Sequence, residues 1–188
     1  MIIATNNKGK LEEIKKILNE YKIYSLKEKG INVEVEENER TFYGNARKKA
    51  IEIYELTHEE TIADDSGLCI NALNGYPGVM THRFLGDDAT DGMRNDYLIS
   101  EADKFEDRSA KVVCNLVYYD GEQEIVGEGI IDGFIATEKR GSNGFGFDEI
   151  FELPNGLTLA ELSPEEKNEV SARSLAIKDL KRKLDNRR

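Results

Sequence analysis

The chain has 188 residues, 39% hydrophobic and 34% charged, which predicts a globular protein with an adequate core in one domain or two closely joined lobes. Its formal net charge of −11 argues against stable nucleic-acid binding, because that binding depends on neutralising phosphates. Two histidines and two cysteines argue against a histidine-rich zinc site and favour reduced core thiols. No apolar run approaches a membrane span, and Met1-Ile2-Ile3 lacks the basic start of a signal peptide, so we expect a cytoplasmic protein without membrane partners.

The N-terminus has the pattern of a strand, a polar loop and a helix. Ile2–Thr5 is apolar, Asn6-Asn7 breaks the strand, and the apolar spacing that follows predicts a helix with Asn7 as its N-cap. Lys8 and Lys10 fall in the first helical turn, where positive charge opposes the helix dipole. An anion held by the loop amides and the lysines would explain them, and two solvated surface lysines are the alternative.

The next segments alternate between strand and helix patterns. Lys22–Ser25 predicts a second strand, and Val33–Glu37 alternates valine and glutamate as a half-exposed strand does. Thr41–Leu56 predicts a helix with a mostly apolar stripe that includes Lys49. Asn45 lies on the same helix and faces either a ligand or solvent.

A pair of carboxylates follows the next apolar residues. Asp64 and Asp65 come after Thr61-Ile62-Ala63, and Ser66-Gly67 separates them from the apolar run Leu68-Cys69-Ile70. We predict that they end a short strand beside a turn, where only one of them need face a cleft. A carboxylate placed there suits a metal ligand or a general base, and an acidic turn that caps backbone amides is the alternative.

The segment from 87 to 135 predicts a helix and a hairpin. Asp87–Asp91 is an acidic loop, and the stretch from Gly92 to Phe105 is weakly helical and carries no motif. Ser109–Tyr119 predicts a strand, and the turn signal Asp120-Gly121 leads to a returning strand at Ile125–Ile135.

A glycine-rich loop follows, in which three glycines fall within six residues from Gly141 to Gly146. Such a loop lets the backbone approach a ligand. Phe145 either stacks on a purine face or fills the core.

The last helix opens at Ser163 with a capping box completed by Glu166. Residues 166, 170 and 173 share one side of this helix, so we expect Arg173 to project near its start.

Four motifs, in this order, resemble the inosine triphosphate pyrophosphatase family over nearly the whole chain. They are Ala4–Lys10 (ATNNKGK); Ala63–Leu68 (ADDSGL) with the turn Asn74–Gly78, Arg83 and Gly86 after it; Gly144–Asp148 (GFGFD); and the group Ala160-Glu161-Leu162, Glu165-Glu166-Lys167 and Ser171-Ala172-Arg173. The chain has Glu149 where relatives have proline, and Ala172 where they have histidine. The second departure bears on the base pocket.

The resemblance implies house-cleaning hydrolysis of nonstandard purine nucleoside triphosphates, namely inosine, deoxyinosine and xanthosine triphosphates (ITP, dITP and XTP), to the monophosphate and pyrophosphate. It implies Mg²⁺ held by Asp65, with Glu36 or Glu37, and by substrate phosphates. Asp65 is also the implied general base. The implied substrate-binding residues are Thr5, Asn6, Asn7, Lys8, Gly9, Lys10, Ser66, Phe145, Gly146, Phe147, Asp148, Lys167, Ala172 and Arg173.

Among these residues, the resemblance gives Lys10, Lys167 and the Thr5–Asn7 loop to the phosphates. It gives Phe145 to the base and Arg173 to the 6-oxo group of the purine.

The predicted fold is α/β, with a long, mixed, twisted sheet flanked by helices in a single domain, residues 1–188. The resemblance adds two lobes with a nucleotide cleft between them, and a homodimer. Two other functions stay open: a non-catalytic nucleotide-binding module on the same fold, which only Ala172 favours, and a pyrophosphatase with a broader choice of nucleoside triphosphates.

Overall fold

The computed structural model describes residues 1–187 and contains one mixed sheet with helices around it. The strands are β1 (Ile2–Ile3), β2 (Tyr24–Ser25), β3 (Thr61–Ile70), β4 (Ser109–Tyr119), β5 (Glu124–Ile135) and β6 (Phe151–Glu152). The α-helices are α1 (Lys8–Ile17), α2 (Phe42–Thr57), α3 (Asp91–Ala102), α4 (Pro164–Val170) and α5 (Ala172–Asp185). Short 3₁₀ turns lie at Lys27–Lys29, Asn71–Leu73, Gly78–Met80 and Leu159–Glu161.

The six strands lie in the order β2-β1-β3-β4-β5-β6. β1 pairs in parallel with β2 and with β3, whereas β5 and β6 are antiparallel. The prediction of an α/β fold with a mixed sheet is therefore confirmed. Within the described part of the chain, every helix is too short or too polar to cross a membrane.

Two compact units divide the chain. The first contains Met1–Ser66, Cys114–Gly129 and the segment that begins at Ala172, and the second contains Gly67–Val113 and Ile130–Ser171. The division falls within β3, β4 and β5, and each unit is described below by itself.

The core of the first unit packs against one face of helix α2. Small residues of α2, Ala46 and Ala50, pack with Ile53, Ile2 and other buried apolar residues. Because Asn45 and Lys49 are one helical turn apart, they lie on the same side of α2. At the start of α1 the Asn7 side chain accepts a hydrogen bond from the Lys10 backbone N–H at 3.1 Å, which confirms the predicted N-cap.

Close contact between β5 and α5 sets where α5 begins. A Cβ atom added at Gly129 would lie 1.9 Å from the backbone oxygen of Ala172, and one at Gly127 would lie 2.3 Å from that of Ala176. Only glycine permits such an approach, so these two residues let the first turn of α5 lie directly against the strand.

Three predicted elements differ from the structure. β3 is one continuous, fully buried strand that runs through Ser66-Gly67, where a turn was predicted, and it lies next to β4 in the sheet. Val33–Glu37 forms no strand. The single C-terminal helix is wrong, since the backbone is extended at Ser171 (φ −68°, ψ 149°). Arg173 therefore does not share a helix face with Glu166.

Candidate functional site

Two adjacent aspartates lie in the middle of β3, in the first unit. Asp64 is 1% exposed and Asp65 is 3% exposed. Since consecutive side chains of a strand point to opposite faces, the two carboxylates meet different surroundings. Buried charges need partners, and the partners differ in kind between the two residues.

Asp64 is held by two cations. Its Oδ2 lies 3.0 Å from Lys10 Nζ and 3.3 Å from Arg173 Nε. Burial alone would raise its pKa, but Lys10, Arg173 and Lys49 more than offset this effect and hold the pKa of Asp64 well below its ordinary value. Asp64 is therefore ionised at neutral pH. Its buried Oδ1 has no hydrogen-bond partner among the described residues.

Arg173 gives all three of its nitrogen positions to residues of the first unit. Nη1 lies 2.6 Å from Glu13 Oε2, Nη2 donates to Ser66 Oγ at 3.0 Å, and Nε donates to Asp64. The resemblance assigned Arg173 to the purine 6-oxo group, which stays a prediction; in this structure the guanidinium contacts Glu13, Ser66 and Asp64. Glu13 was missed, although its spacing from Lys10 on α1 placed both on one side of the helix.

Asp65 accepts hydrogen bonds from two uncharged donors. Its Oδ2 accepts from Asn45 Nδ2 at 2.8 Å, and its Oδ1 accepts from the Ser66 backbone N–H at 2.9 Å. Burial raises the pKa of Asp65 to about 6, with Lys49 opposing the rise and the negative charge of Glu37 adding to it. A carboxylate with a pKa near neutral pH suits a general base.

Lys49 is a site residue that the sequence did not single out. Its Nζ contacts the Glu37 carboxylate and donates to the Asp64 backbone oxygen at 2.6 Å. Burial lowers its pKa, but Asp64, Asp65 and Glu37 outweigh burial and raise it. The available signal was a lysine inside the apolar stripe of α2, one turn from Asn45.

The structure separates the two glutamates that the sequence left as alternatives. Glu36 is exposed and accepts from Asn38 Nδ2 at 3.1 Å, whereas Glu37 is half-buried and acts electrostatically on Asp65. Glu37 is therefore the glutamate that accompanies the aspartates.

The first turn of α1 brings one of its two lysines, Lys10, to the carboxylates. Lys10 is 6% exposed and pairs with Asp64, while Lys8, Asn6 and Asn7 are exposed and Gly9 is half-buried. Thr5 is half-buried, and its Oγ1 accepts from the Asn7 backbone N–H at 3.2 Å. The interpretation of solvated surface lysines is thus wrong for Lys10, whose position opposite the helix dipole is explained by Asp64.

The second unit contains the remaining predicted residues. Asp148 Oδ2 accepts from the Phe145 backbone N–H at 2.8 Å and lies 2.6 Å from Lys167 Nζ. Lys167 Nζ also lies 4.6 Å from the centroid of the Phe145 ring. Asp148 and Lys167 are buried, and Phe145, Gly146 and Phe147 are half-buried. The glycine-aromatic loop and the α4 lysine thus form one cluster around Asp148.

Two further residues of the second unit contact this loop from α3, Asp91 and Asn95, and both were missed. The segment carried no recognisable motif, and a contact across more than fifty residues leaves no local signal. His82 lies beside Gly146 and is exposed. Ala172 is buried in the first unit.

The oxygen donors of the first unit suit a hard cation. In residues 1–187 no group of three or more His, Cys, Asp or Glu side chains is arranged to hold a metal. Magnesium usually needs only one or two carboxylates, with substrate phosphates and water completing its shell. Asp65 and Glu37, whose carboxylates interact electrostatically, satisfy that smaller requirement.

Comparison with known proteins gives one family over almost the whole chain. The model of the Ham1 family matches residues 1–183. A "dITP/XTP pyrophosphatase" of Clostridium tetani is 40% identical over 191 residues, covering 98% of this chain and 95% of that protein. Its counterpart in Bacillus subtilis is 41% identical and covers 98% and 96%. The Staphylococcus aureus Ham1 protein superposes with a TM-score of 0.91 at 35% identity, covering 100% of this chain and 98% of that one.

Proposed function

Because this chain belongs to the Ham1 family, we propose that it hydrolyses ITP, dITP and XTP to the monophosphate and pyrophosphate, and so removes nonstandard purine nucleotides. The observation that carries this proposal is the buried pair Asp64-Asp65, in which one carboxylate is locked in ion pairs and the other has a pKa of about 6. Environments that push the pKa values of two neighbouring groups apart are typical of acid–base sites.

Asp65 is the proposed general base. It accepts a proton from the attacking water, and the hydrogen bonds from Asn45 and Ser66 fix its two oxygens while it does so. In the metal-free protein, its pKa near 6 leaves Asp65 mostly ionised at neutral pH and able to accept a proton.

Asp65 and Glu37 are the proposed protein ligands of Mg²⁺. When bound, the ion supplies positive charge that neutralises phosphate oxygens in the transition state. Lys49 contacts the Glu37 carboxylate, so the same side chain places a second positive charge at these acids.

The remaining residues are assigned to the nucleotide. Lys10 and the Thr5–Asn7 loop bind phosphate, because a buried lysine and helix N-terminal amides both favour anions. In the second unit Lys167 is the further phosphate ligand and Phe145 stacks on the base, a contact worth about 1–3 kcal/mol in comparable stacking. Arg173, occupied by Glu13 and Asp64, acts here by orienting Asp64, and its donation to the purine stays a prediction.

The test is pyrophosphate release from ITP, XTP and dITP with Mg²⁺, with ATP and GTP as the standard nucleotides and the chelated reaction as the blank. We expect pyrophosphate and monophosphate in equal amounts, faster from the nonstandard substrates. Binding of ITP without release would establish the non-catalytic module, and equal rates on ATP and GTP would establish the broader pyrophosphatase. Sedimentation equilibrium tests the expected homodimer.

A further inference from the structure

Both backbone polar groups of Gly146, in the glycine-aromatic loop, form hydrogen bonds with side chains. Its N–H donates to Asp91 Oδ2 at 2.9 Å, and its carbonyl accepts from Asn95 Nδ2 at 2.9 Å. Asp91 is the first residue of α3 and Asn95 lies one helical turn later, so the two side chains project from the same side of the helix. One face of α3 thus fixes the orientation of the Gly146 backbone.

Gly146 is the position where this control matters. Its φ of +64° is a left-handed conformation that glycine adopts readily and other residues adopt rarely. It separates Phe145 from Phe147, so rotation about its backbone turns the two rings relative to each other. Asp148 restrains the Phe145 backbone N–H, and the α3 pair restrains the next residue.

Helix α3 is itself firmly placed in the second unit. Asn95 is 1% exposed and Leu98 is 1% exposed. Arg94 donates to three backbone carbonyls of the preceding loop, which are those of Phe84 (3.0 Å), Gly86 (2.8 Å) and Ala89 (2.6 Å). Arg94 Nη1 also lies 3.9 Å from Asp91 Oδ1. The groups that hold Gly146 therefore stand on a rigid support.

We propose that Asp91 and Asn95 are positioning residues for base recognition, which fix the Gly146 peptide and so set the angle at which the Phe145 ring meets the purine. This inference rests on the proposed function, because it takes Phe145 as the stacking residue. Neither side chain is required to touch the substrate.

The variants are Asp91→Ala and Asn95→Leu, with Asp91→Asn as the conservative variant that keeps an acceptor for the Gly146 N–H. Asp96→Ala is the matched control, because Asp96 is exposed on the same helix and pairs with Lys139. Asp91 is largely exposed, so Asp91→Ala folds even if the buried Asn95→Leu does not.

Three quantities are measured: the hydrogen-exchange rate of the Gly146 amide, and the dissociation constants of inosine monophosphate and of inorganic tripolyphosphate by calorimetry. Loss of a hydrogen bond to a charged group is expected to raise the exchange rate and the monophosphate dissociation constant about tenfold in Asp91→Ala. Tripolyphosphate, which has no base, is expected to bind as it does to the parent protein. Asp91→Asn and Asp96→Ala are expected to match the parent in all three.

Three results would overturn the inference: unchanged exchange at Gly146, faster exchange with unchanged monophosphate binding, or equal weakening of monophosphate and tripolyphosphate. None of these depends on turnover. Failure of the proposed function is seen separately, as a parent protein that releases no pyrophosphate from ITP.

Discussion

Asp65→Asn is the change that most directly tests the site. Asparagine keeps the shape of the side chain in β3 and can still meet one of the two donors, Asn45 or Ser66. It cannot accept a proton from water. We expect turnover of ITP to fall by at least about 10²-fold, the lower range for loss of a general base, while the nucleotide still binds.

The structure also gives the expected effect on folding. Burial moves the pKa of Asp65 from 3.8 to about 6, which corresponds to a cost of about 3 kcal/mol for the charged form in the folded protein at neutral pH. Asparagine has no charge to desolvate, so the variant is expected to be at least as stable as the parent when metal is removed. The loss of one hydrogen bond reduces that gain by about 1 kcal/mol.

The sign of the pH dependence follows from linkage. Because the folded pKa of Asp65 exceeds the unfolded value, its contribution to stability is fully present below the unfolded pKa and is lost as pH rises through the folded pKa. In a chelator, the stability advantage of Asp65→Asn over the parent should therefore grow between about pH 4 and about pH 7.

The assays are pyrophosphate release with saturating ITP and Mg²⁺, and urea unfolding in a chelator at the two pH values. Asp64→Asn is the matched control from the same strand. It is expected to lose stability, because Lys10 and Arg173 would lose a buried anion whose pKa they depress. Near-normal turnover in Asp65→Asn would refute its role as the base, and a marked loss of stability would make it a structural residue.

Three other outcomes are expected. Lys10→Ala should raise KM or lower turnover of ITP far more than Lys183→Ala, because Lys10 is buried against Asp64 whereas Lys183 is half-buried and pairs with Asp179 near the end of α5; equal, small effects would contradict this. Ala172→His should raise the ITP-to-ATP ratio of kcat/KM about tenfold, while His82→Ala leaves it nearly unchanged; a collapse of the ratio in His82→Ala would assign the selectivity to that histidine. The thermal unfolding of the Ala172→His variant must be measured as well, since Ala172 is buried. Gly129→Ala should destabilise the protein by about 1–3 kcal/mol in thermal or urea unfolding, because its Cβ would lie 1.9 Å from the Ala172 oxygen, and an unchanged midpoint would show that α5 can move away.

The sequence alone determined the features that depend on a few neighbouring residues. Asn7 caps α1, and Ser163 with Glu166 forms the predicted capping box of α4, because each cap involves side chains within three positions of the backbone group they satisfy. Ser109–Tyr119 is a strand with the predicted bounds, because residues of high strand propensity, mainly valine and tyrosine, recur along it. The four sequence motifs likewise identify the family without the tertiary structure.

The tertiary structure decided how the two aspartates differ. They are adjacent and chemically identical in sequence, and only the fold gives Asp64 two cations and leaves Asp65 with neutral donors. Arg173, which does this for Asp64, lies 109 residues away in the chain. Charge effects depend on distance in space and on burial, and neither can be read from sequence spacing.

The same reason explains the residues that the sequence missed. Lys49 looks like part of an apolar stripe until α2 places it against Glu37, and Asp91 looks like part of an acidic loop until α3 places it against Gly146. Local propensity also failed at Ser66-Gly67, where β3 continues as a buried strand instead of turning, and at Ser171, where the backbone leaves the helical conformation and separates α4 from α5. Each outcome was set by partners distant in the chain, whose free energy of interaction exists only once the chain has folded.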